Sequence, residues 1–183
     1  MDIFSHGLWT ALAAKAANKK LKKFNDKPLN ARRFVFWGLF PDLLAFTMPF
    51  AWLFIGLISG TFLLSDLPPP ETIEPARPDT LWVFRLTSLL YNASHSLFVF
   101  SAVFGFLFLI LRRPVWETGG WLLHIIIDIP THSYKFYPTP FLWPLSDWKF
   151  DGFSWAAPWF LAINYLAIVV VFLILRKKTP SRS

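Results

Sequence analysis

The sequence contains no cysteine. This absence excludes a disulfide framework and any metal site built from thiolates. A metal ion bound by this chain would have to be held by histidine, carboxylate or backbone oxygen. Histidine is also rare, because only His6, His95, His124 and His132 are present. Any site with imidazole ligands must draw on these positions.

Charged residues are scarce as well. They make up 16% of the chain, against about 25% in ordinary soluble proteins. Hydrophobic residues account for 55% and aromatic residues for 19%, and the mean hydropathy is +0.45. This composition indicates an integral membrane protein. We therefore expect an all-α fold, with residues 1–183 forming a single membrane-embedded helical domain.

Apolar runs define the predicted helices. The chain begins with a basic amphipathic helix over 6–24, for which Ser5 is the predicted N-cap. Asp2 stands where a signal peptide is basic, and the apolar run is short, so we expect no cleaved signal. About four transmembrane helices follow, by the length that a bilayer requires. They cover approximately 34–64, 87–111, 115–131 and 155–175.

The first apolar stretch is longer than one crossing needs. As one helix it would extend roughly 46 Å, against a hydrocarbon core of ~30 Å. Pro41 and Pro49 predict breaks, giving a half-helix over 34–44 and a span over 46–64, with Asp42 at the break. A proline-rich loop is predicted over 65–86, and an aromatic belt at the membrane surface over 132–153.

The distribution of basic residues predicts the orientation. Fourteen of the eighteen lysines and arginines fall within 1–33, 112–113 and 176–183. Four crossings put these segments on one side, so both termini are predicted to be cytoplasmic, in a bacterial inner (cell) membrane. This bias accounts for the net charge of +7 without nucleic acid as a partner. A nucleic-acid-binding tail over 15–33 is the alternative explanation.

Ionisable residues interrupt the apolar runs. His124 and Asp128 lie one helical turn apart and so share a face, and His95 has a similar depth in the preceding span. Buried ionisable groups are costly and point to function, although each alone could be a satisfied core residue. Together they favour Zn²⁺ or another first-row divalent ion, or two ions sharing a carboxylate. The predicted ligands are His6, Asp42, His95, His124 and Asp128. His132 is a weaker candidate, as a ligand, a general acid or a residue at the membrane interface, and the interface is favoured.

Several motifs carry a resemblance to a known family. In order, they are H-G at His6, G-L-F-P-D ending at Asp42, S-H-S-L around His95, H-I-I-I-D-I-P-T from His124, and F-L-W-P-L-S-D-W-K-F before Gly152. This ordered set resembles the YdjM-like family of small membrane-bound metal-dependent hydrolases, which is distantly similar to zinc-dependent phospholipase C. The resemblance implies a helical fold in which the five predicted ligands hold the metal. The chain departs from the family at Leu44, Leu90 and Tyr91, where polar residues are common, and Ser94 replaces a threonine.

The sequence therefore predicts a membrane-bound hydrolase that uses a metal-activated water on a phosphoester or lipid-borne substrate. Asp128 and Asp42 are the candidate catalytic bases. The expected partners are membrane lipids and a divalent metal ion, with zinc as the expected metal. A non-catalytic metal or proton carrier, or a scaffold, would use the same His/Asp cluster.

Overall fold

In a computed structural model, the described part of the chain folds into helices. The structure describes residues 1–24, 26–61, 63, 65, 81–135 and 137–176, and within these ranges it contains helices and no strand, as the all-α prediction requires. The predicted proline-rich loop lies mostly outside the described residues, as do the basic residues after Arg176. The α-helices are α1 (Ile3–Lys23), α2 (Ala31–Ile58), α3 (Trp82–Ser94), α4 (Leu97–Leu111), α5 (Gly119–Thr131) and α6 (Pro158–Arg176).

Helix α2 is the centre of the bundle, since it packs against α1, α3 and α5, while α6 packs on α1. Helix α1 begins three residues earlier than the sequence predicted. Its N-cap is Asp2, whose carboxylate accepts the backbone N–H of Ser5 at 2.9 Å. Ser5 itself lies inside the helix and donates its hydroxyl to Asp2 at 2.6 Å. The predicted cap was wrong because Asp2 and Ser5 are both residue types that cap helices well, and the helix begins at the earlier of the two.

Helix α2 runs without a break from Ala31 to Ile58, so the predicted half-helix ending near residue 44 was wrong. Pro41 and Pro49 both lie inside the helix. Each proline removes a single backbone donor, whereas a break inside hydrocarbon would leave several backbone groups without water or other partners. Asp42 is therefore held by a continuous helix. Tilting lets a helix of about 42 Å cross a thinner bilayer core.

The predicted span over 87–111 is two helices, α3 and α4, bent by 65°. Helix α3 starts at Trp82, inside the predicted loop. The helix is interrupted at Ser96, because the Ser96 hydroxyl accepts the backbone N–H of Val99 at 3.1 Å and so forms the N-cap of α4. The indole N–H of Trp121 donates to the Ser94 carbonyl at 2.5 Å, which satisfies one of the carbonyls left at the end of α3. His95 occupies the bend.

The predicted span over 115–131 contains a short 3-10 turn, Trp116–Thr118, followed by the 13 residues of α5. At 1.5 Å per residue, α5 is about 20 Å long, which is less than a bilayer core. Among the described residues, α2 and α6 are long and apolar enough to cross a membrane, and α3 with α4 would make a third crossing if the bent pair is one span. A membrane protein is therefore plausible on structural grounds, and the four-crossing arrangement stays a prediction.

Two glycines mark close contacts of α2, because Gly120 on α5 packs against α2 and Gly38 on α2 packs against Thr10 of α1. A Cβ atom added to Gly120 would lie 2.0 Å from the carbonyl oxygen of Phe34, and one added to Gly38 would lie 2.2 Å from Cγ2 of Thr10. Such distances exclude any side chain without movement of the helices. Small residues of this kind let helix backbones come together in membrane proteins.

The segment after α5 folds back on the end of that helix. The backbone N–H groups of Gly152, Phe153 and Trp155 donate to the carbonyls of His132, Pro130 and Thr131 at 2.9–3.1 Å. These bonds satisfy acceptors that the end of a helix leaves without intrahelical partners. They also fix the position of the residues just beyond α5, including His132.

Candidate metal centre

Four ionisable residues converge in the interior of the bundle. They come from three parts of the fold: Asp42 from α2, His95 from the bend after α3, and His124 and Asp128 from α5. Each offers one ligand atom, and these four atoms all lie within 4.8 Å of one another. The helical spacing of His124 and Asp128 was visible in the sequence, whereas the approach of Asp42 and His95 depends on tertiary packing.

The distances within this group suit a small tetrahedral ion. Nε2 of His124 lies 3.1 Å from Nε2 of His95 and 3.2 Å from Oδ2 of Asp128. The other three measured separations, which involve Asp42 or join His95 to Asp128, are 3.5–3.7 Å. Ligand atoms about 2.0–2.1 Å from a tetrahedral zinc ion would be roughly 3.3 Å apart. The spacing of the group therefore matches a zinc-sized ion at its centre.

Backbone carbonyls orient the imidazoles. Nδ1 of His124 lies 2.7 Å from the carbonyl oxygen of Gly38, and Nδ1 of His95 lies 3.1 Å from that of Tyr91. A carbonyl oxygen can only accept, so each Nδ1 carries the proton and each neutral ring presents a bare Nε2 to the group. Histidine ligands of metals are held by second hydrogen bonds of this kind.

The arrangement is unfavourable unless a cation or a proton lies within it. In the neutral rings, the Nε2 lone pairs of His95 and His124 face each other across 3.1 Å. Oδ2 of Asp128 is buried and has no hydrogen-bond partner among the described residues. A buried carboxylate oxygen without a donor costs considerable free energy. A divalent ion would remove both problems, so the residues present fit such a group.

His6 lies beside the four residues rather than among them. Its Nε2 is 3.0 Å from Oδ1 of Asp128, the carboxylate oxygen that the group of four does not use. Its ring stacks on that of His124, with centroids 3.6 Å apart. Both ring nitrogens are buried and make no hydrogen bond with the described residues. The structure thus brings all five sequence-predicted ligands to one place, with Asp128 between two sets of imidazoles.

His132 was wrongly assigned to the membrane interface. It is 5% exposed, and its Nε2 lies 3.5 Å from Oδ1 of Asp128. Its Nδ1 lies 2.7 Å from the carbonyl oxygen of Tyr137, so it is oriented in the same way as the other two rings.

A sequence signal for His132 did exist. It follows Asp128 by four residues, the same spacing that links His124 to Asp128. Pro130 lies between them, and because proline commonly ends or kinks a helix, the spacing alone does not keep His132 on the shared face. The structure keeps α5 helical to Thr131 and folds the next segment back, so His132 remains close to Asp128.

The amine of Met1 lies at Oδ1 of Asp128, the oxygen that also faces His6 and His132. It donates to Oδ1 of Asp128, and it lies 2.7 Å from Nε2 of His132. These contacts put one positive charge beside a carboxylate that is 1% exposed. A cationic partner is the usual condition for an ionised carboxylate in an apolar interior.

The group of four opens toward one side. The side chain of Asp42 is 13% exposed, whereas those of His95, His124 and Asp128 are 0–1% exposed. A molecule from outside would therefore reach the group past Asp42.

No protein-family model matches the chain, and no curated protein or solved structure matches it.

Proposed function

We propose that this chain is a membrane-bound metal-dependent hydrolase that acts on a phosphoester or a related lipid-borne bond. The observation that carries the proposal is the group formed by Asp42, His95, His124 and Asp128, whose ligand atoms have the spacing of a tetrahedral ion site. The motifs that resemble the YdjM-like family contain all four of these residues, and they support the same activity.

The two sides of Asp128 suggest two ions that share one carboxylate. Oδ2 of Asp128 belongs to the group of four, while Oδ1 faces His6 and His132, where a second ion would displace the Met1 amine from Oδ1. Four protein ligands would fill a tetrahedral zinc ion, and a catalytic zinc keeps a position for water. The set with His6 and His132 has fewer protein ligands, so it is the better place for water. Bound divalent ions would lower the pKa of that water and polarise a phosphoryl oxygen.

The chain's own residues supply the remaining functions. Asp42 is the carboxylate that an incoming molecule meets first, because the others are fully buried. We assign Asp42 one of two roles. It accepts a proton from the attacking water, or it is a metal ligand if both of its carboxylate oxygens are bound to metal. Asp128 holds the site together as the shared ligand, and the carbonyls behind His95 and His124 keep their Nε2 atoms directed inward.

The membrane setting follows from the apolar helices and the basic residues. We propose that both termini lie in the cytoplasm and that the chain crosses the membrane an even number of times. The basic segment 1–33 and Arg112, Arg113 and Arg176 then share the cytoplasmic side, as the positive-inside rule requires. Four crossings, by α2, the bent pair, the segment 115–157 and α6, satisfy this condition, whereas two crossings by α2 and α6 alone would put Arg112 and Arg113 on the other side.

The experiment that tests the proposal is metal analysis combined with an activity assay. Wild-type protein purified in detergent is expected to retain one or two equivalents of a first-row divalent metal, and to hydrolyse a chromogenic phosphodiester or a phospholipid. His124→Ala is expected to lose both properties. Asp26→Asn serves as a matched control, because Asp26 is an exposed carboxylate distant in sequence from the group.

The outcomes separate the two classes of function. Metal retention together with hydrolysis that a chelator abolishes supports the hydrolase. Metal retention without cleavage of any phosphoester or lipid ester would favour a carrier or scaffold, which the near-complete burial of three of the four residues would suit. Protein that retains no metal under any loading condition would overturn the hydrolase and the metal carrier, and would leave a proton carrier or a scaffold.

A further inference from the structure

A cavity of about 530 Å³ adjoins the candidate metal centre. It lies between the start of α1 and the middle of α2. Its walls are apolar, with Ile3 and Phe4 on one side and Leu43, Phe46 and Phe50 on the other. Its size falls within the range of about 300–1,000 Å³ that is typical of small-molecule sites.

Two polar residues of the cavity, Asp42 and His132, belong to the metal centre. Asp42 lines the cavity and is also the one residue of the group of four that is not fully buried. His132, whose Nε2 lies 3.5 Å from Oδ1 of Asp128, lines it as well. The cavity is therefore the approach to the centre, and it has one polar end and one apolar body.

The mouth of the cavity faces lipid if α2 spans the membrane. Phe4 and Phe50 line the cavity and are 75% and 55% exposed, so they lie at its rim. The α2 residues that line it run from Asp42 to Phe50, within a 28-residue helix. This position is roughly 12–16 Å from either helix end at 1.5 Å per residue. A helix that crosses a bilayer holds that region in hydrocarbon, where a lipid chain is the most abundant apolar occupant.

We propose that this cavity binds one acyl chain of a membrane phospholipid and thereby positions the polar linkage of that lipid at Asp42 and His132. The role of the linkage at Asp42 and His132 rests on the proposed function, because the linkage would meet the metal centre there. The binding of the chain itself rests only on the cavity, its apolar walls and its opening between Phe4 and Phe50. The specificity of the site would then follow from chain length, because each buried methylene changes affinity about fourfold.

The test uses a phosphatidylglycerol with a photoactivatable diazirine at the middle of one acyl chain, in phosphatidylcholine vesicles that contain the full-length protein. After illumination, mass spectrometry locates the label. Labelling concentrated on Phe4, Phe46 and Phe50 is expected. Label spread evenly over lipid-facing residues of α6, such as Ile163 and Leu166, with none in the cavity, would overturn the proposal.

Two variants sharpen the result. Thr47→Trp introduces an indole into the cavity, because Thr47 lines it without belonging to the metal centre. It is expected to reduce cavity labelling at least tenfold and to leave metal content unchanged. Met48→Trp adds the same side chain one position further along α2, at a residue that is 40% exposed and does not line the cavity. It is expected to label like wild type, and equal labelling in all three proteins would overturn the proposal.

The two proposals fail in different ways. Cavity labelling that disappears in Thr47→Trp, in a protein that holds no metal, leaves the acyl-chain site standing and removes the hydrolase. Metal-dependent hydrolysis of a water-soluble phosphodiester, with no cavity labelling and no dependence on acyl-chain length, supports the hydrolase and removes the acyl-chain site. The wild-type label map decides the matter even if Thr47→Trp does not fold.

Discussion

Nδ1 of His124 on α5 lies 2.7 Å from the carbonyl oxygen of Gly38 on α2. This hydrogen bond joins the two helices that carry three of the four convergent residues. It fixes the ring so that Nε2 is directed toward Asp128 and His95. The bond is possible because Gly120 lets the two backbones approach, so the metal centre depends on glycine packing as well as on its ligands.

The first prediction is that Gly120→Ala disrupts the metal centre without touching a ligand. Its Cβ would lie 2.0 Å from the Phe34 carbonyl oxygen and 2.9 Å from the backbone nitrogen of Gly38, and neither backbone atom can turn away. We expect a loss of about 1–3 kcal/mol in stability and weaker metal retention, since His124 would move away from Gly38. Thermal unfolding and elemental analysis measure the two effects.

Gly105→Ala is the matched control for this change. Gly105 lies in α4, and a Cβ atom there would meet nothing within 4 Å. Alanine also has the higher helix propensity, so this variant should be as stable as wild type or slightly more stable. If Gly120→Ala kept full stability and full metal content, close packing of α2 on α5 would not be what holds His124.

The second prediction concerns Asp128→Asn, which nearly preserves size and removes the charge. Under the hydrolase proposal, metal content and hydrolysis should both fall by at least tenfold, because both oxygens of Asp128 face imidazoles of the centre. The protein should still insert and fold. A chelator should lower the melting temperature of the wild type but not that of the variant, since only the wild type gains stability from bound metal.

The opposite pattern would identify a buried carboxylate without a metal role. Asp128→Asn would then be at least as stable as wild type, because it relieves the cost of an ionised group that is 1% exposed. Chelator would change neither protein. Asp26→Asn, at an exposed position, should match wild type in every measurement.

The sequence allowed prediction of which ionisable residues converge better than of the helices that carry them. Five ionisable residues in apolar surroundings stand out because burial of such groups is expensive, and this cost does not depend on knowing the fold. The pairing of His124 with Asp128 followed from helical spacing alone. The approach of Asp42 to His95 did not, because it depends on how α2 packs against the bend after α3.

The errors arose where a local rule met a tertiary constraint. Pro41 and Pro49 predicted breaks in the first apolar stretch, but α2 is continuous because broken backbone bonds cannot find water in an apolar interior. Pro130 likewise means that helical spacing alone does not keep His132 on the helix face. The backbone bonds from Gly152 and Phe153 to the end of α5 hold it in place instead, and no local pattern predicts such long-range bonds.

The third prediction concerns the stoichiometry of metal binding. If two ions share Asp128, His132→Ala should remove one of them and leave the other, since His132 contacts only the Oδ1 side. His124→Ala should remove the ion of the group of four. Elemental analysis is expected to give about two equivalents for wild type and about one for His132→Ala. Equal metal content in wild type and His132→Ala would limit the centre to one ion.

The fourth prediction concerns topology. Reporter fusions at Arg112 and after Ser183 should give cytoplasmic signals, because basic residues cluster at both places and at the N-terminal segment. A fusion at Glu71 should give an external signal, since α2 is long and apolar enough to cross in between. A cytoplasmic signal at Glu71 would mean that α2 does not span the membrane, and the lipid-facing mouth of the cavity would lose its basis.

The last prediction links α6 to the metal centre through a buried amide. Asn164 is 5% exposed, and it accepts the indole N–H of Trp9 at 2.8 Å and donates to Oγ of Ser5 at 2.7 Å. Both partners lie on α1, the helix that carries His6. Asn164→Leu keeps the approximate size but leaves Trp9 without this acceptor. We expect a loss of about 1–2 kcal/mol in stability.

The loss should also reach the metal centre, because Ser5 precedes His6 and is tied to the Asp2 cap of α1. We expect metal affinity to fall a few-fold in Asn164→Leu, measured by competition with a chelator of known affinity. Ile163→Leu, at the neighbouring lipid-exposed position on α6, is the control and should change neither stability nor affinity. If Asn164→Leu unfolded at a lower temperature yet bound metal as tightly as wild type, α6 would brace the bundle without positioning His6.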